Sequence, residues 1–209
     1  MTLKAAIFDW DGTITDSNNI KTEAFVELFQ NACPQAAGYI REYQQNRGGI
    51  SRFEKFRHYI RHFFHREASA AELEDFGRRY AVLCRQKLLN APFIPGAVET
   101  LRKLSGAKIP VFIVTGSPAA EIRELAGARN LLPLIHHIYG SPPTKDVLLA
   151  ALLAENRLVP EETVFFGDAP TDCEAARINK IPFIGICPGK KNSPFPPHTT
   201  VVSAIDLDI

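Results

Sequence analysis

Two aspartates two residues apart, Asp9 and Asp11, close a short apolar run in the segment KAAIFDWDGTITDS, residues 4–17. The run Ala5 to Phe8 reads as a buried strand. Carboxylates at the first and third positions past such a strand can point into one cleft, and Gly12 lets the chain turn sharply beside them. In an open α/β sheet the carboxyl ends of the strands are where ligands bind. A carboxylate pair placed there is suited to nucleophilic and acid–base work.

Three further groups fall at comparable places. Ile109 to Thr115 (IPVFIVT) is a second apolar run, followed by Gly116, Ser117 and Pro118. With Ser117 as cap and Pro118 at the first helical position, a helix is expected over Ser117 to Ala128. The Thr115 hydroxyl and free backbone N–H groups would then converge at a positive helix end, a setting for phosphate. Lys145 follows Pro142-Pro143-Thr144 in the first turn of another predicted helix. A cation is disfavoured at a helix N-terminus unless it has an anion to meet. Finally, TVFFG (163–167) is a strand that runs into Asp168, with Asp172 four residues on. Thr171-Asp172-Cys173-Glu174 also fits a capping box, so Asp172 has a structural reading as well.

If Asp9, Asp11, Asp168 and Asp172 meet at one sheet edge, repulsion becomes decisive. Two like charges ~4 Å apart repel by roughly 4 kcal/mol at an effective dielectric near 20. Such a cluster needs a cation or a proton. An all-oxygen site with few protein ligands suits Mg²⁺, which keeps waters and takes a phosphate oxygen.

The elements that would position these groups alternate strand and helix after residue 92. Helices are expected over Gly96 to Leu104, Ser117 to Ala128, Thr144 to Asn156 and Thr171 to Ile178. Strands are expected over Ile109 to Thr115, His136 to Tyr139, Thr163 to Gly167, Pro182 to Ile186 and Thr199 to Val202. That alternation predicts a parallel sheet flanked by helices, a Rossmann-like α/β core. Pro188 to Pro197 carries four prolines and reads as an irregular loop. Residues 18–92 read as four helices instead: Asn18 to Ala32, Ala36 to Asn46, one from about Ser51 with Phe53, Phe56, Ile60, Phe63 and Phe64 on its apolar face, and one opened by the capping box Ser69-Ala70-Ala71-Glu72. The division is therefore a core domain of residues 1–16 plus 93–209, interrupted by a helical domain over 17–92. At roughly 75 residues the insertion is far longer than an ordinary connection, and it can fold over the site as a lid.

Composition narrows the class. The chain has 209 residues, 45% of them hydrophobic, enough for a real core. Its 24 Lys and Arg nearly balance 23 Asp and Glu, so nothing in the net charge of +1 calls for nucleic acid or an anionic membrane. No apolar run is long enough to span a bilayer. Cys33, Cys84, Cys173 and Cys187 form no C-x-x-C pair and read as free thiols of a reducing compartment. A cytoplasmic protein is expected, with monomer and homodimer both open.

DWDGTITDS, the strand ending in Thr115, Lys145 and Gly167-Asp168-Ala169-Pro170-Thr171-Asp172 together resemble, in order, the four motifs of the haloacid dehalogenase (HAD) superfamily. The helical insertion after the first motif is similar to the type C1 cap of its phosphoglycolate phosphatase-like members. The resemblance implies a Mg²⁺-dependent phosphatase of a small phosphate monoester, such as phosphoglycolate, a sugar phosphate or a nucleotide. Asp9 would be the nucleophile and form an aspartyl-phosphate. Asp11 would protonate the leaving oxygen and then activate water. Thr115, the Gly116 N–H and Lys145 would neutralise the phosphoryl oxygens. Asp9, the Asp11 backbone carbonyl and Asp168 would hold Mg²⁺, with Asp172 ligating directly or through water. Asp11 separates the chain from dehalogenases and phosphonate-cleaving members, which lack this acid. A phosphomutase on a sugar phosphate is the alternative of the same fold. A phosphorelay receiver is disfavoured because its nucleophile ends the third strand, and a non-catalytic binding protein because every motif residue is present.

The insertion offers less. Seven Lys and Arg against Glu42 and Glu54 give residues 41–66 a local charge of +5. Most of these are expected to be solvated, as are His58, His62 and His65, which lie opposite the Phe53/Phe56/Ile60 stripe; no zinc site is expected. The exception is the loop Arg47-Gly48-Gly49-Ile50-Ser51-Arg52, a Gly-Gly turn between cations. In C1-capped relatives such loops face the site, so Arg47 or Arg52 is expected to contact the leaving group.

Overall fold

The structure is a computed structural model and describes residues 3–189 and 193–207. Six parallel strands form one sheet: β1 (Ala5–Phe8), β2 (Val111–Pro118), β3 (His137–Ser141), β4 (Thr163–Gly167), β5 (Phe183–Ile186) and β6 (Thr200–Val202), in the order β3-β2-β1-β4-β5-β6. The order reverses at β1, between β2 and β4. Every residue of β1 is buried, as expected of a strand covered on both faces. Helices α5 (Ala97–Gly106), α6 (Ala119–Ala128), α7 (Lys145–Asn156) and α8 (Pro170–Ile178) connect the strands. One sheet face buries Ile7, Phe112, Leu149 and Phe165, and the other buries Ala6, Phe8, Ile113 and Phe166.

Residues between β1 and α5 are helical, as the sequence predicts: α1 (Asn18–Phe29), α2 (Ala36–Asn46), α3 (Arg52–Phe64) and α4 (Ala70–Leu89). Ser69 caps α4 with the full reciprocal pair to Glu72. The helices share an aromatic interior in which Phe29 stacks on Phe76 at 4.8 Å and Phe25 meets Tyr80 at 4.6 Å.

Several expectations are corrected. Of the expected apolar face of α3, Phe56 and Ile60 are buried and Phe53 and Phe63 pack against the same core, but Phe64 is exposed, and the buried stripe also takes in Arg52, Lys55 and Tyr59. His58 is half-buried, stacked on Tyr43 and hydrogen-bonded to Tyr39 Oη, and His62 stacks on Tyr39. Flat rings on α2 cover His58, which the wheel of α3 alone does not show, while His62 and His65 are exposed as expected. β2 runs on to Pro118, so α6 starts at Ala119 and Ser117 is no cap. Continued pairing with β3 across an irregularity between Thr115 and Pro118 keeps this segment extended. α8 begins at Pro170, and Asp172 at its third position accepts from the Ala169 N–H at 3.0 Å. The box expected from Thr171 is thus replaced by half a box around Ala169, which has no side-chain acceptor. All four cysteines are free, with Cys84 and Cys187 buried. Of the expected loop 188–197, residues 190–192 lie outside the described residues. Among the described residues no helix is long and apolar enough to cross a membrane.

Candidate active site

The carboxyl ends of β1, β2 and β4, with the start of α7, place the predicted groups around one cleft. Asp9 follows β1 and is 3% exposed. Asp9, Asp168 and Asp172 each offer a carboxylate oxygen within 4.8 Å of the others. Lys145, the first residue of α7 and 6% exposed, lies 2.9 Å from Asp9 Oδ1 and 2.5 Å from Asp172 Oδ1. The Asp9 contact lacks hydrogen-bond geometry, so Asp9 Oδ1 is a buried oxygen without a hydrogen-bond partner. Asp172 is fully buried and both its oxygens are engaged, by Lys145 and by the Ala169 N–H. Asp168 accepts from Asn18 Nδ2 at 2.6 Å.

Three carboxylates and one ammonium leave two negative charges in this corner. Burial, and then the charges of Asp172, Asp168 and Asp11, raise the Asp9 carboxyl well above its usual range, with Lys145 acting against them. Burial works against the Lys145 ammonium, but Asp172 and Asp9 outweigh it and hold the charge firmly. A buried carboxylate oxygen held by an ion pair but by no hydrogen bond, hard oxygen donors and three carboxylates against one ammonium fit a divalent cation of the Mg²⁺ type.

Asp11 is not part of that triad. Its carboxylate pairs with Lys21 and accepts from Ser17 Oγ at 2.6 Å and from Ser117 Oγ at 3.1 Å. Burial would raise its pKa, but Lys21 and the two hydroxyls overcome that and lower it. The bulged end of β2 therefore gives Ser117 to Asp11 instead of to a helix end. Thr115 Oγ1 accepts from the Ser117 N–H at 3.1 Å, which leaves its own proton for the cleft. Gly12 sits at φ +78°, and a Cβ there would fall inside Asp168 and Asn18. That near contact, with the backbone angle, is why this position needs glycine.

The α2–α3 loop roofs the cleft. Thr171 Oγ1 donates to the Gly48 carbonyl at 2.7 Å, and the Gly49 carbonyl occupies the space a Cβ on Gly116 would take. The cavity beneath it, open to solvent on one side, is about 300 Å³. Its walls include Asp9, Asp11, Thr115, Gly116 and Asp168 from below, and Gly48, Gly49 and Ile50 from above. Of the two arginines expected at the leaving group, Arg52 lines the cavity and Arg47 is exposed and outside its lining. Arg52 pairs with Glu121 of α6 and lies 4.9 Å over the Tyr80 ring.

The lining residues that escaped the sequence reading include Asn18, Lys21, Gln44 and Lys55. The signal existed. Lys21 lies four residues before Phe25 and seven before Leu28, on the side of α1 that packs into the core. Arg52 stands in the same relation to Phe56 and Tyr59, and Lys55 lies four residues before Tyr59. A cation that continues an apolar stripe into a cleft is buried for a reason, and counting charges along the segment hides it. The solvated reading holds for Arg57 and Arg61, which form exposed pairs with Glu54 and Glu67.

The comparisons agree with this geometry. The family model for haloacid dehalogenase-like hydrolases matches residues 3–178. Validoxylamine A 7'-phosphate phosphatase of Streptomyces hygroscopicus subsp. limoneus is 26% identical over 190 residues, covering 88% of this chain and 85% of the relative. Two solved structures share the fold. β-Phosphoglucomutase from Clostridium difficile has a TM-score of 0.78 at 16% identity, covering 97% of this chain and 92% of that one. A haloacid dehalogenase-like hydrolase from Bacteroides fragilis has 0.76 at 19% identity, covering 98% of each. With the six-stranded parallel sheet, the acidic cleft and a family match over most of its length, the chain belongs to the haloacid dehalogenase-like hydrolases.

Proposed function

We propose that the protein is a Mg²⁺-dependent phosphatase of a small phosphate monoester and works through an aspartyl-phosphate on Asp9. The observation that carries this reading is the convergence of three carboxylates, Asp9, Asp168 and Asp172, on the single buried ammonium of Lys145, 2.9 Å from Asp9 Oδ1. Residues 1–16 and 93–209 act as the catalytic core, and residues 17–92 as its cap.

Asp9 and Asp168, together with the Asp11 carbonyl, would hold the metal, and Asp172 completes the acidic set while it orients Lys145. Bound there, Mg²⁺ supplies charge neutralisation, which lets Asp9 ionise and its target phosphate approach. Asp9 attacks phosphorus, so the hard displacement becomes two easier ones. Asp11 faces the leaving oxygen. Once it has taken up a proton from solvent, against the pull of Lys21, it gives that proton to the oxygen as the ester bond breaks, then accepts one from the water that cleaves the acyl phosphate. Lys21, Ser17 and Ser117 fix its carboxylate. Thr115, Gly116 and Lys145 meet the phosphoryl oxygens as charge spreads over them. The cavity lies at the small end of the range for ligand sites, which suits a metabolite.

The test is release of inorganic phosphate from p-nitrophenyl phosphate and then from a panel of phosphorylated metabolites. Wild type with Mg²⁺ is expected to turn over, and Asp9→Asn or chelated wild type is not. An isomeric sugar phosphate formed without free phosphate would make the protein a mutase. Undiminished turnover by Asp9→Asn would sink the reading altogether.

A further inference from the structure

The cavity has four basic residues in its lining, and three are answered by carboxylates. Lys21 pairs with Asp11, Arg41 with Glu23 and Arg52 with Glu121. The fourth is Lys55 on α3, 7% exposed. Its ammonium donates to Gln44 Oε1 at 2.5 Å and sits 5.7 Å over the Phe25 ring. Among the described residues no carboxylate pairs with it. A buried charge without a counter-charge is costly, and proteins pair such groups or leave them neutral. Gln44 offers a dipole and Phe25 a ring face, and neither is a counterion.

We propose that Lys55, with the Gln44 amide beside it, receives a second acidic group on the departing part of the substrate, so that the preferred ester carries two anionic ends. This deepens the phosphatase reading and rests on it. The two ends of the cavity then have separate tasks. The sheet edge takes the reacting phosphate, and the α2–α3 side takes a carboxylate or a second phosphate. In the free protein, burial and the nearby Lys21 and Lys145 pull the Lys55 pKa down to about 7, against the opposing pull of Asp11 and Asp168. An anion at this site restores full protonation.

The experiment compares three esters with the same two-carbon spacer: 2-phosphoglycolate, ethane-1,2-diol bisphosphate and 2-hydroxyethyl phosphate. Wild type is expected to favour one of the first two over the third by at least about tenfold in kcat/KM, and the favoured one identifies the acid. Lys55→Met should bring that ratio within about threefold of unity. Gln44→Glu, at a half-buried position, gives Lys55 a resident counterion and should erase the preference while the lysine stays; it also serves if Lys55→Met does not accumulate. Equal turnover of all three esters by wild type, or a preference that survives both substitutions, overturns the inference and leaves the phosphatase reading intact. No turnover of any of the three, with p-nitrophenyl phosphate hydrolysed, also overturns the inference, whereas no turnover of p-nitrophenyl phosphate either, with Asp9→Asn no different, defeats the phosphatase reading itself.

Discussion

The sheet edge and the helical layer above it treat charge in opposite ways. At the edge, Asp9, Asp168 and Asp172 exceed the single ammonium of Lys145, and one buried carboxylate oxygen has no hydrogen bond. In the layer above, basic side chains are the excess, and Lys55 has only an amide and a ring for company. The lower surface calls for positive charge and the upper one for negative. A phosphate ester that arrives with a metal ion at one end and an acid at the other answers both. The difference teaches that the two regions are incomplete in complementary senses, one in a way suited to chemistry and the other in a way suited to selection.

The contrast can be broken at either region. The largest effect is expected from Asp9→Asn, with phosphate release falling by about 10⁴-fold or more, because the group that attacks phosphorus is gone. In the helical layer, Phe56→Ala should cost about 3–5 kcal/mol in denaturant unfolding. Phe56 is fully buried between Phe25, Phe29 and Tyr80. Back at the edge, Gly12→Ala should cost about 2 kcal/mol from the left-handed backbone alone, with turnover lost as Asp168 is displaced. If Gly12→Ala is neutral in both assays, the edge is not the close-fitted surface described.

Lys55→Met sharpens the comparison. It removes an unanswered charge, so the variant should be more stable than wild type by about 1–2 kcal/mol at pH 6. The pH dependence has a definite sign. The folded-state value near 7 lies below the ordinary 10.5, so between those values the unfolded chain holds more protons and wild-type stability rises with pH. The advantage of the variant should therefore be fullest below pH 7 and fade toward pH 10.5. Thermal melts across that range would show it, and a constant offset would mean that Lys55 is not desolvated. The smallest effect belongs to Arg57→Ala. Its pair with Glu54 at 2.5 Å is exposed, and its loss should cost less than about 0.5 kcal/mol.

Legibility in the sequence follows the same divide. Strand runs such as AAIF and TVFFG announce themselves, because a parallel sheet buried on both faces needs unbroken apolar stretches. The groups that end those runs are placed by the strands, so Asp9, Thr115 and Asp168 could be assigned to one edge from order alone. Lys145 was legible for a second reason, its electrostatically awkward place at the start of a helix. Ser117 was misplaced because a strand irregularity, which depends on the neighbouring β3, leaves no local mark. In the helical layer the register of α3 was read from its phenylalanines. The true stripe contains two cations, and only the presence of a cavity makes burying them sensible. His58 was misjudged likewise, since what shelters it is on another helix, whereas His62 is exposed as expected.

The stripe Arg52, Lys55, Phe56, Tyr59 and Ile60 runs without interruption from the cavity wall into the aromatic interior. Recognition and cohesion thus share one surface of one helix. A rotation of α3 that re-aims Lys55 toward a different leaving group also unseats Phe56 and Tyr59. Adaptation to new substrates should then proceed by exchanging side chains on a fixed helix, or by changing Gln44 opposite it, and seldom by turning the helix itself.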